Sequence, residues 1–498
     1  MKKIIHRIIA ILPAILIQIA WYYILIRWLS PYSAFLTLLL SLLGFLYMMT
    51  VIVKNDDSTY KILWLLVLLI FPLPGALLYF LFGNKKTARP IKRRLDETKD
   101  HYILSEQNEL EELKEDNLRL YQTLDYMSQY TKYPILKNKS TKYYSLGEYM
   151  FEDMLEDIKK AKKSIYCEYF IVEKGKMWDS IVELFEKKVQ EGVKIYIMYD
   201  DLGSLSTYSK KEAKELEGKG MKVHIFNELI TIRGTLNYRD HRKMLVIDDE
   251  VAYSGGINLA DEYINEYPKH GHWKDIGFRI TGNGVYAYSD MFVKFWNSFD
   301  KEKIEVSNIE LRLNNEQDGF IFSYYDSPIN NVAVSNTLYI ELLSQAKHYA
   351  YFYTPYLMLG DDLLDAFIFA ARRGVDVRII MPGIPDKKIV FRMSRSFYQP
   401  LLEAGVKIYE YTPGFVHAKA SMIDDEICTI GTVNLDYRSL FLHFENNSLF
   451  YKSEVLNDLK ADFLKTQDMC KEIKPYTNKE YAKKWLIDGI LRIFSPLC

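Results

Sequence analysis

The sequence predicts an α/β fold made of two tandem α/β/α units packed as a pseudo-dimer, preceded by transmembrane helices. Three features predict it. Uncharged apolar runs crowd the first 83 residues. Beyond residue 137 the chain repeats one order of strands and helices. At matching places of the two repeats stands His-x-Lys-x-x-x-x-Asp, once at His241 and once at His417. The chain thus divides into a membrane anchor of two to three spans (1–83), a charged helical linker (84–137), a first α/β half (138–305) and a second (306–498) ending in an amphipathic helix.

The anchor comes first. Ile8 to Ile26, Ser33 to Val53 and Ile62 to Phe82 each reach the roughly 20 residues that cross a ~30 Å hydrocarbon layer as a helix. Trp21, Tyr22, Tyr23, Trp28, Tyr60 and Trp64 lie near their ends, as interfacial belts do. Lys2, Lys3 and Arg7 precede the first run as in a signal peptide, but two more runs follow and the first is long for a signal core. The cluster Lys85, Lys86, Arg89, Lys92, Arg93 and Arg94 places the main domain in the cytoplasm. Pro72, Pro74 and Gly75 interrupt the third run and give it a means to kink or re-enter.

Composition bounds the rest. Hydrophobic residues at 49% and charged residues at 26% suit a large packed core. Lys+Arg (64) against Asp+Glu (65) leaves net charge −1, which argues against nucleic acid as a partner. Four scattered cysteines form neither a disulfide framework nor a metal knuckle, which places the main domain in a reducing compartment. In the linker, Leu104, Leu110, Leu113, Leu118, Leu120 and Leu124 predict an amphipathic helix leading away from the membrane.

The repeat is the most informative feature. AKKSIYCEYFIV, a helical stretch, EGVKIYIMYDDLG and GMKVHIFNE precede the first His motif; QAKHYAYFYTPYL, a helical stretch, RGVDVRIIMPGIP and AGVKIYEYTPG precede the second. Continuous apolar runs such as Val193 to Met198 and Val377 to Met381 predict strands covered on both faces by helices. In the tail, Lys484, Asp488 and Arg492 share one helical face, and Trp485, Leu486, Ile490, Ile493, Phe494 and Leu497 fall mostly on the other. That face either docks on the protein or lies on a bilayer.

The motifs carry the chemistry. HRKMLVID is followed by SGGINL, and HAKASMID by IGTVNL. A single His-x-Lys says nothing; two copies sharing a downstream Asp, Gly and Asn are a strong signal. Residues i and i+2 of a strand face one way, so His241 stands beside Lys243 and His417 beside Lys419. If the halves pack about a pseudo-twofold axis, two imidazoles and two ammonium groups converge on one pocket. Two Gly/Asn turns (Gly256 and Asn258; Thr432 and Asn434) are then placed to bind a phosphodiester substrate. One neutral imidazole attacks phosphorus while a protonated one supplies the leaving alcohol with its proton. No metal and no cofactor is required, and His270 and His272 read as polar rim. Asp248 and Asp424 complete the candidate catalytic set, although on an unbroken strand they face away from their histidines; direct contact and a structural role both stay open. Asp275 and Glu445, downstream of His241 and His417, are candidates to orient the imidazoles, each its own or that of the other half.

With these residues the chain resembles the phospholipase D superfamily over about 140 to 498. WLLVLLIFPLPGALLYFLFG (Trp64 to Gly83), WKD at Trp273, YTPYL at Tyr353 and the terminal SPL make it similar to the bacterial cardiolipin synthases. The resemblance implies reversible phosphatidyl transfer between two phosphatidylglycerol molecules, giving cardiolipin and glycerol through a phosphatidyl-histidine intermediate. It implies His241 as nucleophile and His417 as acid and base, in a multi-pass protein of the bacterial plasma membrane. Family members commonly carry two amino-terminal spans where this chain shows three runs. The alternative is a membrane phospholipase D or phosphodiesterase that hydrolyses headgroups with water as acceptor.

Overall fold

The computed structural model describes residues 33–54, 57–83, 89–98, 109–228, 237–305, 318–329 and 332–497, together with Ala20 and Tyr23. The first half is a seven-stranded sheet of β1 (Ser140–Tyr144), β2 (Ser164–Tyr169), β3 (Lys194–Asp200), β4 (Lys222–Phe226), β5 (Met244–Ile247), β6 (Val251–Gly255) and β7 (Gly277–Thr281), in the order β1-β7-β6-β5-β2-β3-β4. The second half contains β8 (Phe320–Asp326), β9 (Tyr349–Tyr353), β10 (Asp376–Pro382), β11 (Lys407–Tyr411), β12 (Ala420–Ile423), β13 (Ile427–Gly431), β14 (His443–Tyr451) and β15 (Cys470–Ile473). Its order, β8-β14-β13-β12-β9-β10-β11, repeats the first sheet strand for strand and adds β15 at one edge and the two-residue strand Leu136–Lys137, beside β8, at the other. In both, β2–β3–β4 and β9–β10–β11 run parallel and the other pairs antiparallel.

Each motif lysine leads directly into a fully buried strand, β5 or β12, as its four apolar or small residues require. The helix Val285–Phe299 is buried nearly all round, because it lies between the two halves. Its Phe292 stacks on Tyr166 of β2 (4.9 Å), and its Tyr288 hydroxyl meets the Ser448 hydroxyl of β14 (2.6 Å). One apolar core therefore spans both units, and a second covers the outer face of the first sheet.

The amino-terminal segments differ from expectation in two ways. The second apolar run forms α1 (Ser33–Ile52), 20 residues without a charge. The third does not form one span: α2 (Ser58–Ile70) ends at Phe71, before Pro72, and a short helix Pro72–Leu78 and a π turn Tyr79–Gly83 follow. Pro72 and Pro74 break the ladder here. Thirteen residues at ~1.5 Å each give roughly 20 Å, short of the ~30 Å layer. Over the described residues no helix is long and apolar enough to cross a membrane. The first run, apart from Ala20 and Tyr23, lies outside the described residues. The second difference is the linker, which does not lead away but wraps the core. Leu113, Leu120 and Leu124 are fully buried, and Asn117 caps the helix Leu118–Thr131 by accepting the Leu120 N–H. Burying these leucines outweighs an extended course in water. Leu104 lies outside the described residues.

Three further helices frame the site: α3 (Lys388–Ser396), α4 (Tyr437–Phe441) and α5 (Asn478–Ile493). Tyr60 of α2 stacks on Tyr437 of α4 at 5.5 Å and 6°, which seats the anchor directly on the segment after the second motif.

Candidate active site

The two halves exchange short strands, and this exchange builds the site. Arg239–Asp240 pairs in parallel with His443–Phe444, and the His241 N–H then donates to the Phe444 carbonyl (2.8 Å). Gly414–Val416 pairs with His272–Lys274 in the same way, and the His417 N–H donates to the Lys274 carbonyl (2.7 Å). Each histidine is thus anchored one residue before a carboxylate of the opposite half. The side chains pair accordingly: His241 Nδ1 lies 2.8 and 2.9 Å from the Glu445 oxygens, and His417 Nδ1 lies 2.6 Å from Asp275 Oδ2. The pairing is crossed, so neither half holds a complete site.

Lys243 and Lys419 both fold back onto the carbonyl of their own histidine, Lys243 at 2.6 Å. Lys419 Nζ also stands 2.8 Å from His417 Nδ1. One ring nitrogen carries either a proton or a lone pair, so the shorter contact to Asp275 takes the Nδ1 proton and Lys419 donates to the carbonyl. In both rings the Nε2 lone pair is left for chemistry.

Electrostatics keep both imidazoles neutral. Burial, with Lys243 next, pushes His241 well below its usual range. Burial and Lys419 outweigh Asp275 and bring His417 to about 4. Burial brings Lys243 to about 8 and Lys419 to about 7. The carboxylates differ. Burial would raise Asp275, but His417 and Lys419 hold it below the ordinary value, whereas burial drives Glu445 well above.

The residues read as substrate-binding also make contacts within the protein. Gly256 has no room for a side chain: a Cβ would stand 2.1 Å from Asp275 Oδ1, so the glycine seats the carboxylate behind His417. Thr432, its counterpart, donates its hydroxyl to Glu445 (2.5 Å) and accepts the Asn446 N–H (3.0 Å). Asn258 accepts the Ile171 N–H (3.1 Å) and donates to the Tyr263 hydroxyl (2.7 Å), which fixes a ring 5.3 Å from His417. Asn434 donates to Asp436 (3.1 Å), and its Oδ1 is buried without a hydrogen-bond partner among the described residues.

The motif aspartates sit away from the histidines. Asp248 accepts the N–H groups of Lys162, Lys163 and Ser164 (2.6–2.9 Å), clasping the start of β2. Asp424 accepts those of Lys347, His348 and Tyr349 (2.6–2.8 Å) at the start of β9. Both open a turn with left-handed backbone, φ 57° and 52°. The geometry is that of a backbone clasp, repeated in both halves.

Sequence reading passed over a buried ionic cluster under the first motif. Arg242 pairs with Glu168 and with Asp240 (2.9 Å) and lies 3.8 Å over the Phe295 ring. Arg239 pairs with Asp200 (2.8 Å), which also accepts the Asp240 N–H (3.0 Å). Charged residues inside the apolar strands SIYCEY and KIYIMYD were the available signal. Aromatic rings also went unassigned: Phe170 lies 4.9 Å from His241, and Trp273 and Phe415 lie 5.5 and 6.0 Å from His417. His272, read as rim, meets the Tyr411 hydroxyl at 3.0 Å. Among the described residues no group of three or more His, Cys, Asp or Glu is placed to hold a metal ion.

Comparison with known proteins agrees with this geometry. Residues 154–267 and 339–467 match the family model "Cardiolipin synthase, PLD-like domain", and residues 39–84 match "Phospholipase_D-nuclease N-terminal". A cardiolipin synthase of Halalkalibacterium halodurans is 31% identical over 478 residues, 94% of either chain. The chain belongs to the cardiolipin synthase family of the phospholipase D superfamily. A second family member, from Alkalihalophilus pseudofirmus, is 32% identical over 89% of this chain and 90% of its own. An uncharacterised protein of Streptococcus mutans is 41% identical over 89% and 97%. Among solved structures, phosphatidylserine synthase of Haemophilus influenzae shares the fold, with TM-score 0.58, 14% identity, and coverage of 76% of this chain and all of that one.

Proposed function

We propose that this protein is a cardiolipin synthase that transfers a phosphatidyl group from one phosphatidylglycerol to another, working as a multi-pass protein of the bacterial plasma membrane with its catalytic halves in the cytoplasm. The observation that carries the reading is the crossed pair His241–Glu445 and His417–Asp275, each with its lysine.

The family resemblance supports His241 as nucleophile and His417 as acid and base. Phosphatidylglycerol binds with its phosphodiester between the Lys243 and Lys419 ammonium groups. The His241 Nε2 lone pair attacks phosphorus, and the bond from phosphorus to the glycerol oxygen breaks. His417 gives its Nε2 proton to the departing glycerol, leaving a phosphatidyl-histidine on His241. A neutral His417 cannot do this, and the bound anionic phosphodiester supplies the negative charge that lets it hold a proton beside two ammonium groups. In the second step His417 takes the proton of a primary hydroxyl on the second phosphatidylglycerol. That oxygen attacks phosphorus, the bond to His241 breaks, and cardiolipin leaves. Lys243 and Lys419 stabilise the charge on the pentacovalent transition state in both steps. Asp275 and Glu445 act through the imidazoles as positioning residues.

The test is purified full-length protein with phosphatidylglycerol, read by mass spectrometry. Cardiolipin and glycerol in equal amounts are expected. Phosphatidic acid without cardiolipin would assign water as the acceptor and overturn the reading in favour of a phospholipase D. Wild-type protein, quenched during turnover, is expected to carry the phosphatidyl adduct on His241, and a His241→Ala protein to carry none.

A further inference from the structure

The carboxy-terminal helix α5 is docked inside out. Among its described side chains, Lys484 and Arg492 face the protein: Lys484 Nζ lies 3.8 Å over the Tyr476 ring, and Arg492 donates to the Ser396 carbonyl (3.1 Å) with its guanidinium 4.8 Å from the Phe397 ring. Lys484, Asp488 and Arg492 are all half-buried. The opposite side turns outward Leu486, Ile487, Ile490 and Phe494, which are 57%, 44%, 48% and 43% exposed, with Trp485 beside them at 58%. A surface helix in water buries its apolar side and solvates its charges, so this orientation calls for an apolar phase outside.

The neighbours on both sides continue that surface. Toward the anchor, α5 and the turn Ser495–Leu497 pack against α2, whose Ile62, Leu69 and Ile70 are exposed. Arg438 of α4 secures the turn by donating to the Leu497 carbonyl (3.0 Å). Toward the site, α5 packs against α3, where Ile389 is 70% exposed between the exposed Lys388 and Arg392. The preceding Lys387 donates to the Tyr356 hydroxyl (3.0 Å), and the Tyr356 ring lies 6.4 Å from Phe415, itself 6.0 Å from His417. An apolar strip edged with cations therefore runs from the anchor to the rim of the active site.

We propose that α5 and α3 form an interfacial platform, lying in the boundary between headgroups and acyl chains of an anionic bilayer with the apolar side of α5 inward. Lys388 and Arg392 meet lipid phosphates, as basic residues flanking an apolar helix face do, while Lys387 stays paired with Asp386 and Tyr356. The platform sets the His417 rim against the membrane surface, so that a lipid enters from the side without leaving the bilayer. This rests on the lipid-transfer reading and adds a surface to it.

The test uses full-length protein in phosphatidylglycerol/phosphatidylcholine vesicles, with Ile490→Cys carrying a bimane label and Cys470 and Cys498 replaced by serine. Quenching by a lipid nitroxide near the headgroup, stronger than by one at the acyl terminus, is expected. Emission as in water with no lipid quenching would overturn the platform, and so would crosslinking of the label between copies, which would make α5 a protein interface. A companion triple variant, Leu486→Ser, Ile490→Ser and Phe494→Ser, is expected to lose about tenfold in turnover on vesicles but to match the wild type on short-chain phosphatidylglycerol dispersed as monomers. Equal losses on both substrates would also overturn it. Wild type that makes no cardiolipin would refute the enzymatic reading while leaving the quenching result to stand by itself.

Discussion

Replacing Asp275 by Asn tests the crossed pairing most directly. Asp275 is fully buried, held in its charged form by His417 and Lys419, and 2.6 Å from His417 Nδ1. A hydrogen bond to a charged group is worth about 1.5–3 kcal/mol, or roughly 10- to 150-fold in rate. The tautomer adds to this. Lys419 Nζ stands 2.8 Å from the same nitrogen, and once the carboxylate charge is gone it donates there. The ring proton then moves to Nε2, the atom that must accept the acceptor lipid's proton. The same substitution in a serine protease triad, where the tautomer is also lost, costs about 10⁴ in kcat. Asp275→Asn is therefore expected to lower kcat by about 10²–10⁴ with KM changed less than about threefold. Glu445→Gln is expected to cost about tenfold or less, because burial already drives the Glu445 carboxyl toward its neutral form, which Gln resembles. The assay is cardiolipin formation at saturating phosphatidylglycerol, with thermal unfolding as the control for folding. A kcat within threefold of wild type for Asp275→Asn, or a larger loss for Glu445→Gln, refutes the reasoning.

Asp248→Ala and Asp424→Ala each strand three backbone N–H groups and remove a residue suited to left-handed backbone; each is expected to destabilise by about 2–3 kcal/mol while kcat per folded molecule stays near wild type, read by denaturant titration beside active-site counting. Thr432→Val removes the hydroxyl that donates to Glu445 (2.5 Å) and accepts the Asn446 N–H (3.0 Å) and is expected to lower kcat about fivefold and to cost about 1–3 kcal/mol of stability. For pH, Lys419 at about 7 and Lys243 at about 8 hold their protons below those values. Raising the pH through that window discharges the phosphate site, so kcat/KM is expected to fall above pH 7–8; a profile flat to pH 9.5 contradicts the assignment. Arg242→Met removes the cation that pairs with buried Glu168 and Asp240 and is expected to cost about 3–5 kcal/mol of stability, checked by thermal unfolding in detergent.

Local pattern alone singled out the candidate residues His241, Lys243, His417 and Lys419. His-x-Lys on a strand places both side chains on one side whatever surrounds it, and the repeat of MLVID and ASMID announced two equal strands. The repeated succession of strands and helices was legible in the same apolar runs, because a strand buried on both faces leaves its mark at every position, whereas the order of strands in each sheet came from the tertiary structure. What only tertiary structure decided are the relations between segments far apart in sequence. Glu445 reaches His241, and Asp275 reaches His417, because short strands cross from one half to the other, and no local periodicity records such a crossing. That Gly256 makes room for the Asp275 carboxylate and Thr432 donates to Glu445 came from packing. Pro72 and Pro74 signalled a break, but the docking of Tyr60 on Tyr437 depends on a surface supplied elsewhere in the chain. The two faces of α5 were legible as a pattern; which of them meets the protein was settled by Ser396, Phe397 and Tyr476, since a helix's own sequence does not say which phase its neighbour offers.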